Sequence, residues 1–434
     1  MLDLNLFREN PDRIRADLKK RGMDCAKVDQ LIQLDKENRE LLQEIENERA
    51  IKNNASTGIA KMEGDEKKHN IEVMQLHASQ EKVAKGNQQQ IEKKLLDILL
   101  TFPNITHSST PEGPDESGNV VEKKHGEPRQ FDFKPKDHIE LGTSLNILNL
   151  EDATRMSGTR FAYLLKEGAL LEFALLQFVM QKLVSKGFTP VIPPVLVREH
   201  AMIATGFFPA DRNEIYHVNP KLNEDDKEND DLYLVGTSEV PLTMLHADKI
   251  LDEEKLPLRY VGFSTCFRRE AGSYGKDTQG IIRVHQFDKI EMFSFCHPEK
   301  SWQEHDFIRS IEEEIMQDLG LAYQVLNICS GDLGYPASKK YDIEAWIPTQ
   351  QKYRELTSCS NCTDYQARRA KIRYKSTKTG KNEFIHTLNG TACAMGRTIV
   401  AILENYQQAN GSIEVPKALR PFMDGLTKIT TLST

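Results

Sequence analysis

The first 100 residues contain few of the amino acids that end helices, and this constrains the fold more than any other feature of the chain. They hold four glycines and one proline, Pro11, and are rich in Glu, Lys, Gln, Asn and Leu. Because glycine and proline disfavour helix interiors, their scarcity predicts long helices here. Residues spaced three and four apart predict a coiled-coil seam, formed by Leu31, Leu34, Asn38, Leu41 and Ile45.

A short interruption divides this helical region. Gly58 and Gly64 lie within residues 57–65, and a less regular pattern resumes from about Glu66 to Leu100. Two long helices joined by a short break predict an antiparallel hairpin over about residues 28–100. Such a hairpin serves either as an oligomerisation coiled coil or as an arm that binds nucleic acid. Lysines near the turn favour the arm because phosphates attract positive charge, and they are Lys52, Lys61, Lys67 and Lys68.

The bulk composition excludes several classes of protein. The 434 residues carry a formal net charge of −8, which disfavours a protein that coats nucleic acid without sequence preference. The seven cysteines are an odd number and are scattered, which is typical of reduced thiols in the cytosol. The N-terminus has no signal-peptide pattern, and no run of 18 apolar residues occurs. We therefore expect a cytoplasmic protein with no membrane span.

The remainder of the chain predicts an α+β fold. Five prolines interrupt the connector at residues 106–136 and its margins, and an apolar helix is expected from Gly168 to Ser185. Residues 232–235, 260–267 and 281–295 have the composition of strands. Few strand–helix–strand units recur, so we expect an antiparallel β-sheet flanked by helices and not a Rossmann fold. Three regions follow, at 1–105, 106–136 and 137–434, with an acidic loop at 223–231.

The stretch from Phe267 to Phe295 has the pattern of a hairpin that carries chemistry. Its first strand ends at Arg268, Arg269 and Glu270, glycines such as Gly272 and Gly275 turn the chain, and the second strand is expected to begin near Ile281. Alternation would place one set of side chains on a common face, namely Arg283, His285, Phe287, Lys289 and Glu291. The opposite face would carry Ile282, Val284, Ile290 and Met292.

That face is open to two interpretations. It is either a solvated outer surface with ion pairs or the floor of a site for a charged, planar ligand. In the second case arginines would bind phosphate, Phe287 would stack on a base and Glu291 would bind an amino group. The segment Gly272 to Asp277 has the wrong spacing for a P-loop, so nucleotide binding would need another architecture.

Several blocks of the sequence together resemble a known family. Residues 262–295 resemble motif 2 of the class II aminoacyl-tRNA synthetases, residues 388–405 (LNGTACAMGRTIVAILEN) resemble motif 3, and residues 187–194 (GFTPVIPP) resemble the dimer-forming motif 1. The Thr-Ser-Glu triplet at 237–239, the segment ELTSCSNCTDYQARR and the N-terminal arm are similar to those of seryl-tRNA synthetases in particular. The resemblance spans nearly the whole chain. It implies a homodimer with a tRNA-binding arm and a class II catalytic domain built on an antiparallel sheet.

The resemblance also implies a reaction and a set of ATP-binding residues. Serine would be activated with ATP and transferred to tRNA(Ser), and to tRNA(Sec) as well. Arg268, Glu355 and Arg397 would be catalytic, and Glu355 and Ser358 would face Mg²⁺. The implied ATP-binding residues are Arg268, Arg269, Glu270, Arg283, Val284, Phe287, Glu355, Leu356, Thr357, Ser358 and Arg397.

Serine recognition is implied for a second set of residues. These are Thr237, Ser238, Glu239, Glu291, Asn389 and Thr391. Motif 3 departs from its common form, because Thr391-Ala392-Cys393 stands where relatives often have Ser-Gly-Leu, but the hydroxyl at position 391 is kept. Cys359 and Cys362 form a single CxxC, which supplies half of a typical zinc site, so no structural zinc is expected.

Two other functions compete with this hypothesis. A paralogue that loads a carrier protein would resemble the catalytic domain but lack the arm, which is present here. A non-catalytic interaction protein would have lost motif residues, whereas Arg268, Glu291, Glu355 and Arg397 are all in place.

Overall fold

The computed structural model describes residues 1–57, 59–221, 226, 229, 231–271 and 279–431. These residues divide into two units, Leu2–Phe102 and Pro103–Thr434 together with Met1. Most of the predicted acidic loop at 223–231 lies outside the described residues. The loop glycines Gly272 and Gly275, with the rest of the segment 272–278, lie outside them as well.

The N-terminal unit is helical, as the sequence predicts. Pro11 occupies the first turn of its helix, where no backbone N–H is needed, and the Asn10 side chain caps that helix by accepting from the Arg13 N–H. The second long helix begins at Gly64, two residues before the predicted start. The four helices are α1 Leu4–Glu9, α2 Pro11–Lys20, α3 Ala26–Ser56 and α4 Gly64–Leu99.

The α3–α4 seam combines apolar and polar contacts. Leu31 and Ile45 of α3 are buried in it. The Gln88 side chain of α4 donates to the Asn38 side chain of α3 at 3.1 Å. Nearer the turn, the buried carboxylate of Glu81 accepts from Arg49 at 3.4 Å. These pairings run in opposite chain directions, so the helices are antiparallel. The polar partners on α4 explain why its heptad pattern is weak in the sequence.

The second unit is built on an eight-stranded sheet with the order β1-β11-β12-β13-β16-β10-β9-β4. Every neighbouring pair is antiparallel except β4 and β9, which confirms the predicted antiparallel α+β class. The strands of the unit are β1 Val120–His125, β2 Leu148–Asn149, β3 Tyr163–Leu164, β4 Thr189–Val191, β5 Leu196–Arg198, β6 His217–Val218, β7 Leu232–Leu234, β8 Ile250–Asp252, β9 Leu258–Phe267, β10 Gln286–Cys296, β11 Tyr323–Asn327, β12 Lys339–Ile347, β13 Lys352–Asn361, β14 Arg373–Lys375, β15 Asn382–Phe384, β16 His386–Ala394, β17 Ile413–Glu414 and β18 Lys428–Ile429.

Helices flank this sheet and close its apolar core. Leu171, Leu175 and Val179 of α7 are fully buried in that core. Within the described residues α7 is also long and apolar enough to cross a membrane by length and composition, a test that the core helix of a globular unit passes too. The helices are α5 His138–Ser144, α6 Glu151–Ser157, α7 Lys166–Ser185, α8 Glu199–Thr205, α9 Glu239–Met244, α10 Ser301–Asp318, α11 Tyr365–Ala370 and α12 Met395–Tyr406.

One strand lies inside the predicted connector. Strand β1, Val120–His125, pairs with β11 at the edge of the large sheet. All six of its residues are exposed. A strand with no buried face has no alternation of apolar and polar residues, so the sequence pattern could not reveal it.

The predicted strand 281–295 is wrong at its beginning. β10 starts at Gln286, and the preceding apolar residues belong to no strand. Their backbone groups bond outside any β-ladder: the Ile281 N–H donates to the His138 ring, the Ile282 carbonyl accepts from Arg397, and the His285 N–H donates to the Arg160 carbonyl. We call residues 281–284 the wall segment. Its β-branched composition predicts a strand, but these tertiary hydrogen bonds override that preference.

Two β-bulges shape the centre of the sheet. In β16, Ala392 is the extra residue, because Ile290 pairs with Cys393 and Glu291 with Thr391. In β13 the extra residue is Leu356, because Ile343 of β12 pairs with Thr357 and Glu344 pairs with Glu355. A bulge changes the direction in which the next side chains point, and such features are enriched next to active sites.

Candidate active site

One face of the sheet carries a cavity of about 350 Å³ beside strands β10, β13 and β16. Fifteen of the seventeen residues that the family resemblance implies for serine or ATP line it. They are Thr237, Glu239, Arg268, Glu270, Arg283, Val284, Phe287, Glu291, Glu355, Leu356, Thr357, Ser358, Asn389, Thr391 and Arg397. The wall segment contributes all four of its residues, so Val284 faces the same cavity as Arg283 although alternation would have separated them.

One part of the cavity is acidic and bears a hydroxyl. Glu291 pairs with Lys289 at 2.6 Å and accepts a hydrogen bond from the Thr391 hydroxyl at 3.1 Å. Glu239 accepts from the side-chain amides of Asn389 at 3.1 Å and Gln366 at 2.6 Å. All of these side chains are buried. Hydrogen bonds to carboxylates of this kind fix the orientation of both acids before any ligand arrives.

The two carboxyls of this acidic part have different electrostatic surroundings. Burial, and next the nearby charge of Glu291, raise the pKa of Glu239 from 4.5 to about 7. Glu291 has Lys289 as an ion-pair partner, whereas the amide donors of Glu239 are neutral. A cationic group bound beside Glu239 would offset the repulsion between the Glu239 and Glu291 carboxylates. The acidic part is therefore suited to an ammonium group next to a hydroxyl.

Arginines and an aromatic ring line another part of the cavity. The Arg268 guanidinium lies 5.3 Å from the centroid of the Phe287 ring, and Arg283 pairs with Glu270 at 2.6 Å. Glu270 has a backbone φ of 50°, so its left-handed conformation turns the chain just after the end of β9. Arginine binds phosphate through a planar fork of donors, and an aromatic face accepts a nucleobase by stacking. This part of the cavity is suited to a nucleotide.

Glu355 precedes the bulge residue Leu356 in β13 and contacts Arg397 in the first turn of α12. Its carboxylate accepts from Arg397 at 3.1 Å and lies 3.9 Å from the Lys340 ammonium. Burial acts to raise the pKa of Glu355, but Lys340 and Arg397 outweigh it and hold that pKa well below its ordinary value. Ser358 lines the cavity on the same strand. An ionised carboxylate with a hydroxyl nearby is a fitting pair of hard oxygen ligands for Mg²⁺.

Two predicted residues do not reach the cavity. The Ser238 hydroxyl bonds instead to the Ser264 hydroxyl at 2.7 Å and is fully buried. Arg269 is not among the lining residues, and its backbone N–H donates to the Glu214 carbonyl at 2.8 Å. Ser238 follows Thr237 and Arg269 follows Arg268, and in each case only the first residue of the pair lines the cavity. Neither Ser238 nor Arg269 lines it, although the resemblance implies Ser238 for serine and Arg269 for ATP.

The four lysines assigned to tRNA differ in their surroundings. Lys52 is ion-paired with Glu81 across the hairpin. Lys61, Lys67 and Lys68 are exposed around the turn. The exposed three are therefore the stronger candidates for contacts with a phosphate backbone.

The sequence hypothesis missed several lining or supporting residues. Lys340 and Asp332 line the cavity, and the side-chain amide of Gln366 donates a hydrogen bond to the Glu239 carboxylate. Lys340 and Asp342 are two residues apart on β12, so they share a face, and both side chains are largely buried. Charged residues on one face of a central strand are the sequence signal that indicates a site there. Gln366 lies in the family-like segment QARR but has no sequence pattern of its own that indicates a role.

Comparison with known proteins agrees with this geometry. Residues 1–106 match the seryl-tRNA synthetase N-terminal domain, and residues 216–406 match the tRNA synthetase class II core domain (G, H, P, S and T). The serine–tRNA ligase of Thermobifida fusca is 47% identical over 98% of this chain and 97% of its own length.

Two solved structures are similar over the full chain. The seryl-tRNA synthetase of Pyrococcus horikoshii complexed with ATP has a TM-score of 0.92 and 41% identity, covering 100% of both chains. The cytoplasmic serine–tRNA ligase of Naegleria fowleri in complex with AMP has a TM-score of 0.88 and 36% identity, covering 100% of this chain and 99% of that one. With both domains matched and relatives 47% and 44% identical over nearly the full length, the chain belongs to the seryl-tRNA synthetase family of serine–tRNA ligases.

Proposed function

We propose that this chain activates serine with ATP and transfers it to tRNA(Ser) by means of the cavity described above. One observation carries the proposal: a single cavity holds an acidic, hydroxyl-bearing part and an arginine-lined part with an aromatic ring. The first part fits the ammonium and hydroxyl of serine, and the second fits the phosphates and base of ATP. Serine's carboxylate would lie between them, next to the α-phosphate.

The first chemical step joins these two substrates. A carboxylate oxygen of serine attacks the α-phosphorus of ATP, the bond to the bridging oxygen of pyrophosphate breaks, and seryl-adenylate forms. Arg268 and Arg397 would stabilise the negative charge on the phosphates, and Phe287 would stack on adenine. The relative from Pyrococcus horikoshii is complexed with ATP, which supports this assignment of the nucleotide. In the second step a ribose hydroxyl of the tRNA attacks the acyl carbon and AMP leaves.

Mg²⁺ is the metal that this chemistry and these ligands favour. Glu355 and Ser358 would hold it together with phosphate oxygens, and it would neutralise phosphate charge. Arg397 and Lys340 keep the Glu355 carboxylate ionised, as a metal ligand must be. They also fix its position.

Serine selectivity would come from hydrogen bonds and size. A site built around a substrate hydroxyl rejects substrates that lack it, because its own polar groups are then left unpaired. Thr391 and Asn389 would supply these polar contacts, with Glu239 and Glu291 on the ammonium. Threonine would be excluded because its additional methyl group crowds the buried pocket.

The N-terminal hairpin would bind the tRNA. Its exposed lysines near the turn, Lys61, Lys67 and Lys68, would contact backbone phosphates, while Lys52 stays paired with Glu81. Binding through the arm explains how a chain with a net charge of −8 recognises a nucleic acid. We propose tRNA(Sec) as a second substrate by the same mode of binding.

A homodimer is proposed from an exposed apolar surface. On α7, Leu170 is 52% exposed and Phe173 is 60% exposed, and Ile192 in motif 1 is 88% exposed. Leu170 and Phe173 are three residues apart and share a face of the helix, and large apolar side chains exposed together are typical of an interface. A two-fold partner that presents the same surface would cover them.

The seven cysteines are free thiols, which supports the proposed cytoplasmic location.

Aminoacylation tests the complete proposal. The protein would be incubated with ATP, Mg²⁺, labelled serine and transcripts of tRNA(Ser), tRNA(Sec) or tRNA(Phe), and with an acyl-carrier protein in parallel. Acid-stable label on the two serine-accepting tRNAs alone is the expected result. Label on the carrier protein in preference to tRNA would replace the proposal with the carrier-loading alternative, which no relative named above favours.

A further inference from the structure

We propose that His138 is a positioning residue for the ATP-binding wall of the site and acts through its bond to the Ile281 backbone. The inference rests on the proposed function, because it concerns the same nucleotide. His138 begins helix α5, 143 residues before Ile281. Neither composition nor spacing connects the two.

The ring of His138 bridges two buried partners. Its Nε2 accepts the Ile281 N–H at 3.3 Å, and its Nδ1 lies 3.0 Å from the Glu404 carboxylate. An Nε2 that accepts carries no proton, so the proton of the neutral ring is on Nδ1 and is donated to Glu404. The bridge therefore requires one defined tautomer.

Glu404 holds the ring in a fixed position. It is fully buried on α12 and also accepts from the His138 backbone N–H at 3.2 Å and from the Thr349 hydroxyl at 2.6 Å. The ring also packs against the backbone of Gly280, where a Cβ atom would lie 2.0 Å from Nε2. Gly280 has a φ of 75°, which favours glycine as well. The ring thus has little freedom to move.

The wall segment depends on this support because it lacks a β-ladder. The next peptide is held from α12, where Arg397 donates to the Ile282 carbonyl at 3.2 Å. Arg397 and the wall segment both line the cavity. Without His138 the buried Ile281 N–H would have no acceptor, and the segment would move to find one. Such a movement would displace both the wall and Arg397 on the nucleotide side, and would leave the acidic part with Glu239 and Thr391 in place.

Two amide substitutions separate the two bonds of the ring. In His138→Gln the side-chain oxygen can reach the Nε2 position and accept from Ile281, while the bond to Glu404 is removed. In His138→Asn the amide nitrogen can take the place of Nδ1 and donate to Glu404, while Ile281 loses its acceptor. Both variants remove one buried hydrogen bond, so each serves as the stability control for the other.

Serine-dependent ATP–pyrophosphate exchange and thermal unfolding would be measured for the parent and both variants. We expect similar drops in Tm for the two. His138→Asn should raise the KM for ATP about tenfold, whereas the KM for serine should remain near the parent value in both. His138→Gln should keep the parent KM for ATP. Equal KM values for ATP in the two variants would overturn the inference, whereas absence of exchange in the parent protein would instead overturn the proposed function.

Discussion

Thr391 donates its hydroxyl hydrogen to Glu291 across the β10–β16 pair, with 3.1 Å between the two oxygens. The two residues are directly opposed in the register that the strands keep from Cys296 and His386 up to this point. The bulge at Ala392 follows immediately and shifts the pairing of Ile290. Regular antiparallel pairing therefore puts a hydroxyl and a carboxylate together in the cavity, next to the point where the register shifts.

The Thr391 hydroxyl can be tested by a matched pair of substitutions. Thr391→Val keeps the branched shape but leaves Glu291 without this donor, so kcat/KM for serine should fall about tenfold or more. Thr391→Ser retains the hydroxyl and should stay close to the parent. The measurement is pyrophosphate exchange against serine concentration. Equal losses in both variants would mean that shape, not the hydroxyl, matters at this position.

Glu239 should make serine binding depend on pH. Its raised pKa, about 7, means that the carboxyl is protonated at pH 6 and ionised at pH 8. An ionised Glu239 attracts the serine ammonium, so the KM for serine should fall as pH rises through 7. Glu239→Gln should remove this part of the profile and raise KM at pH 8. A parent KM that does not change between pH 6 and 8 would exclude Glu239 as a carboxylate that attracts the serine ammonium.

The same carboxyl should reduce stability at high pH. Because its pKa is higher in the folded state than the ordinary value of 4.5, the folded state binds its proton more tightly. The free energy of unfolding contributed by Glu239 therefore falls as pH rises from about 4.5 to about 7. Glu239→Gln should raise the stability at pH 8 by up to about 3 kcal/mol, with little gain at pH 4.5. Denaturant unfolding at both pH values measures this difference, and an equal gain at both would exclude titration of Glu239 as the cause.

Glu355 should determine the requirement for Mg²⁺. Glu355→Gln removes the charge that Arg397 and Lys340 stabilise, so the exchange rate should fall about 100-fold and half-saturation should need more Mg²⁺. Glu344→Gln is the control, because Glu344 pairs with Glu355 in the sheet register but is not among the residues that line the cavity. A Mg²⁺ titration of both variants is decisive. Unchanged Mg²⁺ dependence in Glu355→Gln would remove that residue from the metal site.

The lysines at the turn of the arm should affect tRNA charging only. Reversal of Lys61, Lys67 and Lys68 to glutamate should weaken tRNA binding and reduce its salt dependence by about one unit of slope for each phosphate that is no longer neutralised. Adenylate formation should not change. A charge-matched control reverses three exposed lysines further from the turn, namely Lys82, Lys93 and Lys94. If both triple variants lose affinity equally, net charge and not the turn governs binding.

The exposed surface of α7 should be buried in a dimer. Phe173→Glu would place a charge in that interface, so the protein should become monomeric in light scattering. Val120→Glu on β1 is the control, since Val120 is 47% exposed on a different surface and should leave the dimer intact. A monomeric parent protein, or an unchanged dimer in Phe173→Glu, would refute this assignment.

Strand alternation predicts part of the site because it is a local property, whereas most of the other site residues are implied by the resemblance to the synthetase motifs. Phe287, Lys289 and Glu291 share a face on β10, as expected from a period of two. The composition of the wall segment predicts a strand because Ile281, Ile282 and Val284 are β-branched. Its actual conformation depends on His138 and Arg397, which lie far away in the chain.

Tertiary partners of this kind also explain why sequence patterns do not indicate the other residues that line or support the cavity. Gln366 reaches Glu239 from a short helix, and Lys340 reaches Glu355 from the neighbouring strand. Both depend on which elements are adjacent in space, and no spacing along the chain encodes that adjacency. The exposed strand β1 was missed for a different reason, since it has no buried face to produce a pattern.

Amino-acid-dependent ATP–pyrophosphate exchange with serine, threonine, alanine, glycine and cysteine in parallel tests whether the cavity selects serine. The acidic, hydroxyl-bearing part of the cavity predicts exchange with serine alone. Alanine and glycine should fail because they leave the polar groups around Thr391 unpaired, and threonine should fail by crowding. No exchange with serine, or equal exchange with alanine, would contradict the proposed roles of Glu239, Glu291 and Thr391.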